Sequence, residues 1–149
     1  MATTQDIKKI NHRDTEHTER KPNKPAQTTD PLTEKIIGAA IEVHRALGPG
    51  LLESIYEECL CHELALQKLE FRRQIPVPLV YKDVQLENPL RIDLLVADEV
   101  IVELKSVDKL SGLHQAQLLS YMKLAGKTKG LLLNFNCPVL TDGIKRMVL

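Results

Sequence analysis

The sequence lacks several features that would point to particular functions. It contains no tryptophan, and aromatic residues make up only 3% of the chain, which argues against a platform that stacks single-stranded bases. Basic and acidic residues number 20 each, so a nucleic-acid partner would have to be held by a local basic patch rather than by a bulk positive field. No apolar run is long enough to cross a membrane, and no signal peptide is recognised.

Cysteine is also scarce. The three cysteines, at positions 59, 61 and 137, form no C-x-x-C pair. An odd number without framework spacing argues against a disulfide scaffold and predicts a reducing, cytoplasmic setting. Cys59, Cys61 and His62 are close in sequence, but we expect neither a zinc nor an iron–sulfur site there.

The length and the polar start of the chain predict its domain organisation. Residues 1–30 contain few large apolar side chains, and we predict that they form a disordered leader. Residues 31–149 are enough for one domain with a hydrophobic core.

Residues 91–107, RIDLLVADEVIVELKSV, predict two β-strands joined by a tight turn. Side chains alternate along a strand, so each strand should have two distinct faces. On the first strand we expect Leu90, Ile92, Leu94 and Val96 on one face, and Arg91, Asp93 and Leu95 on the other. On the second strand we expect Val100, Val102 and Leu104 on one face, and Ile101, Glu103 and Lys105 on the other.

This hairpin brings two carboxylates together. With residues 97–99 as the loop, Asp93 lies opposite Glu103, with Cβ atoms roughly 5 Å apart, and Lys105 shares a face with Glu103. Carboxylates this close repel unless a proton or a cation lies between them, and Mg²⁺ takes one or two carboxylates while it keeps several waters. The alternative is a surface ion pair of Glu103 with Lys105 beside a solvated Asp93. For an isolated E-x-K motif this is the commoner arrangement, because charged residues often alternate on half-exposed strands.

Two helices are predicted before the strands. Apolar residues at helical spacing predict the first over residues 32–47, with Thr33 as its N-cap. Gly48-Pro49-Gly50 ends it, and a second helix is predicted over residues 51–69. Glu53 lies at the margin of the second helix's apolar arc. A carboxylate near a helix N-terminus is stabilised by the helix dipole, and this alone would explain the presence of Glu53 without any role in catalysis.

The remaining elements complete an α/β pattern. Residues 71–81 predict a strand in which one side is an edge or a bulge, because Pro76 and Pro78 cannot donate to a ladder. Residues 83–89 predict a turn. A third helix is predicted over residues 113–125, with Gln117 and Tyr121 adjacent on its surface and Gly126 as its C-cap. Strands are predicted from residue 130 and over residues 144–149. The order indicates a sheet with helices packed on it.

These motifs together resemble the GxxExxY proteins, a branch of the PD-(D/E)xK nuclease superfamily. Gly50-Leu-Leu-Glu53-Ser-Ile-Tyr56 is similar to the name-giving motif. Asp93 is similar to the first acidic residue of the superfamily motif, although Ile92 stands before it where the pattern has proline. Glu103-Leu104-Lys105 is similar to the (D/E)-x-K part of that motif. Gln117-Leu-Leu-Ser-Tyr121 is similar to the Q-x-x-x-Y helix of recombination-type exonucleases.

The resemblance implies a restriction-endonuclease-like α/β fold, with two helices before a central mixed sheet flanked by helices. It also implies a nuclease that uses Mg²⁺ or Mn²⁺. Asp93, Glu103 and Glu53, with the Leu104 carbonyl, would be metal ligands, and Lys105 and Gln117 would act on the attacking water or the phosphate.

The resemblance further implies a nucleic-acid partner, for which we expect DNA, although the sequence itself does not distinguish DNA from RNA. Tyr121 would contact the backbone, and the predicted cations for phosphate binding are Arg72, Arg73, Lys109, Lys127 and Lys129. Recruitment by a protein partner and a homodimer are further options, and no membrane partner is expected. Two other hypotheses about the function stay open. One is a catalytically silent nuclease-fold module that binds nucleic acid or protein, and the other is an oligomeric scaffold built on the apolar helices.

Overall fold

A computed structural model describes residues 30–87 and 90–149. The predicted leader, apart from Asp30, lies outside the described residues, as does the end of the predicted turn at residues 88–89. Three α-helices are described, and all three were predicted: α1 is Pro31–Leu47, α2 is Glu53–Leu66 and α3 is Gly112–Ala125.

Side chains and glycine define the helix ends. Asp30, not Thr33, is the N-cap of α1: its Oδ2 accepts hydrogen bonds from the Thr33 N–H at 3.3 Å and the Thr33 hydroxyl at 2.7 Å. The prediction of Thr33 was wrong because Pro31, with its fixed φ, already starts the helix. Ser111 is the N-cap of α3. Gly126 is its C-cap, as predicted, and adopts the left-handed conformation.

Five strands form the main sheet: β1 Phe71–Val77, β4 Leu90–Val96, β5 Val100–Lys105, β6 Lys129–Asn134 and β7 Ile144–Val148, which lie side by side in this order. Within this sheet only β5 and β6 are parallel, so the predicted mixed sheet is confirmed. Two short strands, β2 Val80–Tyr81 and β3 Val84–Gln85, pair separately. A 3₁₀ helix, Leu140–Gly143, precedes β7.

The predicted strand over residues 71–81 is divided in two. β1 ends at Val77 and pairs with β4 at one edge of the sheet, where proline is tolerated. The chain leaves the sheet at Pro78 and resumes as β2, which turns back through Lys82 and Asp83 into β3. Both turn residues have positive φ, 46° and 66°, as a two-residue hairpin turn of the primed type requires.

Two core clusters cover the two faces of the sheet. The first core cluster lies between the sheet and helices α1 and α2, and the second lies between the sheet and α3. The first includes Ile36, Ala40, Val43, Tyr56, Leu60, Leu64, Val100, Val102, Leu104, Leu131 and Leu133. The second consists of Val77, Ile92, Leu95, Ile101, Leu118, Tyr121, Met122 and Leu132.

The predicted faces of β4 are correct for only half of the strand. Leu94 and Val96 pack in the first core cluster, whereas Ile92 packs in the second with Leu90 against it. The expectation that all four residues share one face was therefore wrong. A regular strand would keep them together, so the alternation must be interrupted between Ile92 and Leu94.

Strand β1 changes face at the same level. Phe71 packs against the first core cluster and Ile75 against the second, although they are four positions apart and a regular strand would place them on the same face. Between them lies Gln74, with a φ of 49°. Gln74 stands opposite Asp93 in the register of the two strands. The distortion in this pair turns both strands over and coincides with the predicted acidic site.

Two glycines should respond oppositely to alanine. A Cβ at Gly143 would collide with the Asn134 carbonyl oxygen and lie 2.9 Å from the Cys137 Sγ, so Gly143→Ala should lower the free energy of unfolding by about 1–3 kcal/mol. Gly38, exposed in α1, has nothing within 4 Å of an added Cβ, so Gly38→Ala should raise it by about 0.5–1 kcal/mol. Urea denaturation of both variants measures this. Equal destabilisation would contradict the packing described around Gly143.

Candidate active site

The site forms where the backbone ladder between β4 and β5 stops. The paired residues are Val96 with Val100, Leu95 with Ile101 and Leu94 with Val102. The predicted pairing of Val96 with Val100 is thus confirmed, although the loop contains no glycine. Ala97 and Asp98 adopt positive φ in its place, 51° and 56°.

Asp93 and Glu103 come next in this register, and their side chains replace the ladder. The backbone N–H of Asp93 donates to Glu103 Oε1 at 3.1 Å, and the backbone N–H of Leu104 donates to Asp93 Oδ2 at 2.9 Å. Each carboxylate is therefore fixed to the opposite strand. A hydrogen bond from a neutral donor to an ionised acceptor is stronger than one between neutral groups, so the Leu104 N–H favours the ionised form of Asp93.

Burial makes it costly for both carboxylates to be ionised. Glu103 is only 4% exposed, and this burial, reinforced by the negative charge of Asp93, raises its pKa to about 8. Burial also raises the pKa of Asp93, although the Leu104 N–H favours its ionised form. Near neutral pH the pair therefore retains a proton or requires a neighbouring cation.

Lys105, two residues after Glu103 on the same strand, contacts α3. Its Nζ lies 3.5 Å from Gln117 Oε1, and Gln117 Nε2 donates to the Tyr121 hydroxyl at 3.0 Å. Tyr121 is only 7% exposed and packs in the second core cluster. Burial and then the charge of Glu103 raise its pKa. Its ring is thus a core element, its hydroxyl is bound to Gln117, and its contact with nucleic acid stays a prediction.

Glu53 and Asp93 line the same open cavity. Its Oε1 accepts a hydrogen bond from the backbone N–H of Ser106 at 3.3 Å, so the first residue of α2 contacts the end of β5. The cavity has a volume of about 530 Å³. It is lined by Leu51, Leu52, Glu53, Ser54, Glu57, Gln74, Asp93, Leu104 and Ser106.

The three acidic residues do not form one ligand cluster. Within residues 30–87 and 90–149, no three His, Cys, Asp or Glu side chains are grouped closely enough to hold a metal ion together. The expectation that Glu53, Asp93 and Glu103 converge is thus met only in part, because Glu53 is bound to Ser106 and Glu103 does not line the cavity. The paired carboxylates still fit Mg²⁺ or Mn²⁺, since a hard ion of this kind needs only one or two and keeps water.

Comparison with known proteins assigns the family. The model of the PD-(D/E)XK nuclease superfamily matches residues 30–147. The chain belongs to this superfamily. No curated protein and no solved structure gives a significant match. The family assignment and the described sheet confirm the predicted α/β nuclease fold, while membership of the GxxExxY branch stays a prediction.

The G-x-x-E-x-x-Y segment of this nuclease-fold chain has a clear structural role. The buried Tyr56 hydroxyl donates to the Gly48 carbonyl at 2.6 Å and accepts from the Leu51 N–H at 3.1 Å. Gly50 supplies a φ of 98°. The Leu51 carbonyl in turn accepts from the Ser106 hydroxyl at 2.7 Å. The loop before α2 is thereby fastened beside the E-x-K strand, which positions Glu53.

Sequence reasoning missed Asn134, which holds the segment after the E-x-K. Asn134 pairs with Lys105 across the parallel strands. Its buried side chain accepts from the Val107 N–H at 3.1 Å and donates to the Val107 carbonyl at 2.9 Å. The signal in the sequence is a single amide that ends the apolar run GLLLN, since a buried amide needs hydrogen-bond partners.

Most of the predicted phosphate-binding cations are paired within the protein. Arg73 Nη2 lies 2.9 Å from Glu57 Oε2, and the partner, Glu57, was not among the predicted site residues. Arg72 and Lys127 both contact Asp98, and Lys129 contacts Asp30. In the described part of the chain, only Lys109 of the predicted cations makes no ion pair.

None of the described helices is both long and apolar enough to span a membrane. This statement applies to the helices within residues 30–87 and 90–149. The three cysteines are free, with Cys61 buried, and the predicted absence of a disulfide framework is consistent with this.

Stability without metal should fall as the pH rises, because of Glu103. Its pKa in the folded protein, about 8, is raised above the ordinary value of 4.5. Its stabilising contribution is therefore complete below about pH 4.5 and is lost as the pH rises through about 8, at no more than ~1.4 kcal/mol per pH unit. Urea denaturation in EDTA between pH 5 and 9 should show this decline. Glu103→Gln should remove most of it, whereas Glu58→Gln, on an exposed helix position, should leave it intact. An equal slope in both variants would show that Glu103 is not the titrating group.

Proposed function

We propose that this domain is a divalent-metal-dependent nuclease that hydrolyses phosphodiester bonds, with DNA as its substrate. The supporting observation is the Asp93–Glu103 pair, in which each carboxylate is held by a backbone N–H of the opposite strand and Lys105 follows on the same strand. Glu103 is buried and Asp93 half-buried, and burial raises the pKa of both carboxylates, so a divalent cation would stabilise the ionised pair. Membership of the nuclease superfamily agrees with this chemistry.

The residues of the site would divide the work as follows. Asp93 and Glu103 would hold Mg²⁺ or Mn²⁺, with the Leu104 carbonyl as a further ligand. A divalent ion supplies Lewis acidity there, which lowers the pKa of water and neutralises charge on the phosphate. Lys105 would stabilise the developing oxyanion, and Gln117, 3.5 Å from its ammonium group, would keep that group oriented. Glu53, which lines the same cavity as Asp93, would support a second ion.

The runner-up is a nuclease-fold module that binds nucleic acid or a protein without turnover. It is supported by the ion pairs that occupy Arg72, Arg73, Lys127 and Lys129, because these leave little free positive charge for duplex binding. Such a chain would depend on a protein partner or a homodimer for recruitment. The free cysteines support the proposal of a reducing, cytoplasmic setting. Activity assays separate the two functions.

Substitutions at Asp93 and Lys105 should separate metal binding from turnover. Mn²⁺ should raise the melting temperature of the wild type but not of Asp93→Asn, which loses a charged ligand. Lys105→Met should keep the metal response yet nick plasmid DNA about 10²–10³-fold more slowly, because the oxyanion loses its cation. Thermal shift and nicking assays, with circular dichroism to check folding, measure these effects.

The matched control is Asp83→Asn, in the exposed β2–β3 turn, which should behave as the wild type. Nicking at the wild-type rate by Asp93→Asn would remove this residue from the mechanism. Metal stabilisation of the wild type with no turnover on DNA or RNA would favour the silent module.

Lys109 should contribute one phosphate contact. It is exposed and lies between the E-x-K strand and α3. Lys109→Ala should weaken duplex binding at all sequences and reduce the slope of log K against log salt by about one. Fluorescence anisotropy between 50 and ~200 mM salt tests this, and Lys35→Ala, an exposed lysine of α1, is the control. An identical slope for both variants would place the nucleic acid elsewhere.

A further inference from the structure

Gln74 has an unusual backbone conformation for its place in the fold. Of the described residues that are not glycine and have positive φ, it alone lies inside a strand, at 49°. Such a conformation is strained for any residue but glycine and persists only where the surroundings fix it. Its place in the register is between the pairs Arg73–Leu94 and Ile75–Ile92, opposite Asp93. The strained residue therefore faces the first carboxylate of the site.

The side chain of Gln74 lies between two carboxylates. Its Nε2 is 2.7 Å from Glu57 Oε1 and 3.5 Å from Asp93 Oδ1. A primary amide has two N–H donors, so one nitrogen can serve both carboxylates. Without a donor between them, the two negative charges would repel across the cavity.

Glu57 in turn holds the amide in place. It is only 7% exposed, and its other oxygen, Oε2, accepts from Arg73 Nε at 3.3 Å and Nη2 at 2.9 Å. The order of contacts is Arg73, Glu57, Gln74 and Asp93. Because the Arg73–Glu57 ion pair joins β1 to α2, the Gln74 amide that faces Asp93 has little freedom to move.

We propose that Gln74 is a positioning residue that sets the orientation of the Asp93 carboxylate by donating its amide between Asp93 and Glu57. Oδ2 of Asp93 is already bound to the Leu104 N–H, so the amide on Oδ1 defines the remaining rotation of the carboxylate. This inference rests on the proposed function in one respect: Asp93 is taken to be a metal ligand. Arg73 then acts through Glu57, a role distinct from the phosphate contact predicted from sequence.

Two substitutions separate the amide from the backbone strain. Gln74→Met keeps the length of the side chain but has no donor. Gln74→Gly also removes the donor, but glycine adopts a φ of 49° readily, so this variant keeps its fold and gains rather than loses stability at the backbone. Gln85→Met, at an exposed position of β3, is the control for introducing methionine on a strand.

Two measurements on each protein test the proposal. The first is the ¹H–¹⁵N resonance and hydrogen-exchange rate of the Leu104 amide without metal, because this N–H reports directly on Asp93 Oδ2. The second is Mn²⁺ affinity by calorimetry. In both Gln74 variants we expect the Leu104 amide proton to move upfield and to exchange faster. We also expect Mn²⁺ affinity to fall about 10–100-fold, the usual effect of losing a group that orients a metal ligand. A purely structural role would not lower affinity in a glycine variant of undiminished stability.

The outcomes for the two proposals are distinguishable. A Leu104 amide that is unchanged in both Gln74 variants overturns the positioning role, whatever the wild type does with Mn²⁺. If the Leu104 amide responds but the wild type binds no Mn²⁺, the positioning role stands and the proposed metal chemistry fails.

Discussion

The whole site depends on one exchange of hydrogen bonds between β4 and β5. Where the apolar ladder ends, the N–H of Asp93 binds the Glu103 carboxylate and the N–H of Leu104 binds the Asp93 carboxylate. Two acids can thus enter an otherwise hydrophobic sheet without leaving backbone donors unsatisfied. Their burial raises the pKa of each, and this makes the position receptive to a cation.

Helices on both faces of the sheet contact two consecutive residues where β5 ends, Lys105 and Ser106. From α2, Glu53 accepts the Ser106 N–H, and the loop before it is bound to the Ser106 hydroxyl. From α3, Gln117 contacts Lys105. The sheet supplies the acids and the amine, while the helices fix the level at which the strand ends. A change in either helix position would therefore be transmitted to the Glu103–Lys105 segment.

Sequence patterns predicted what depends on hydrophobic periodicity and failed where one residue departs from it. The three helices, the mixed sheet implied by the resemblance, and the Val96–Val100 register were all predictable, because a slipped hairpin would expose apolar side chains. The change of face at Ile92 was not predictable: it coincides with the positive φ of Gln74 on the neighbouring strand, which no propensity would assign to glutamine. The Arg73–Glu57 ion pair joins residues on different elements, and no spacing rule connects them. For the same reason the distance of Glu53 from the two paired acids could not be read from its place on the helix.

The balanced total charge conceals an uneven distribution. At the loop between β4 and β5, Asp98 is matched by Arg72 and Lys127. At the opposite end of these strands lie four acidic residues, Glu53, Glu57, Asp93 and Glu103, and among the described residues Arg73 alone makes an ion pair with one of them. The candidate site is therefore locally negative and would repel a phosphate backbone. Under the proposed function, a bound divalent ion would have to correct this imbalance before nucleic acid could approach, so metal and substrate should bind in an order set by charge.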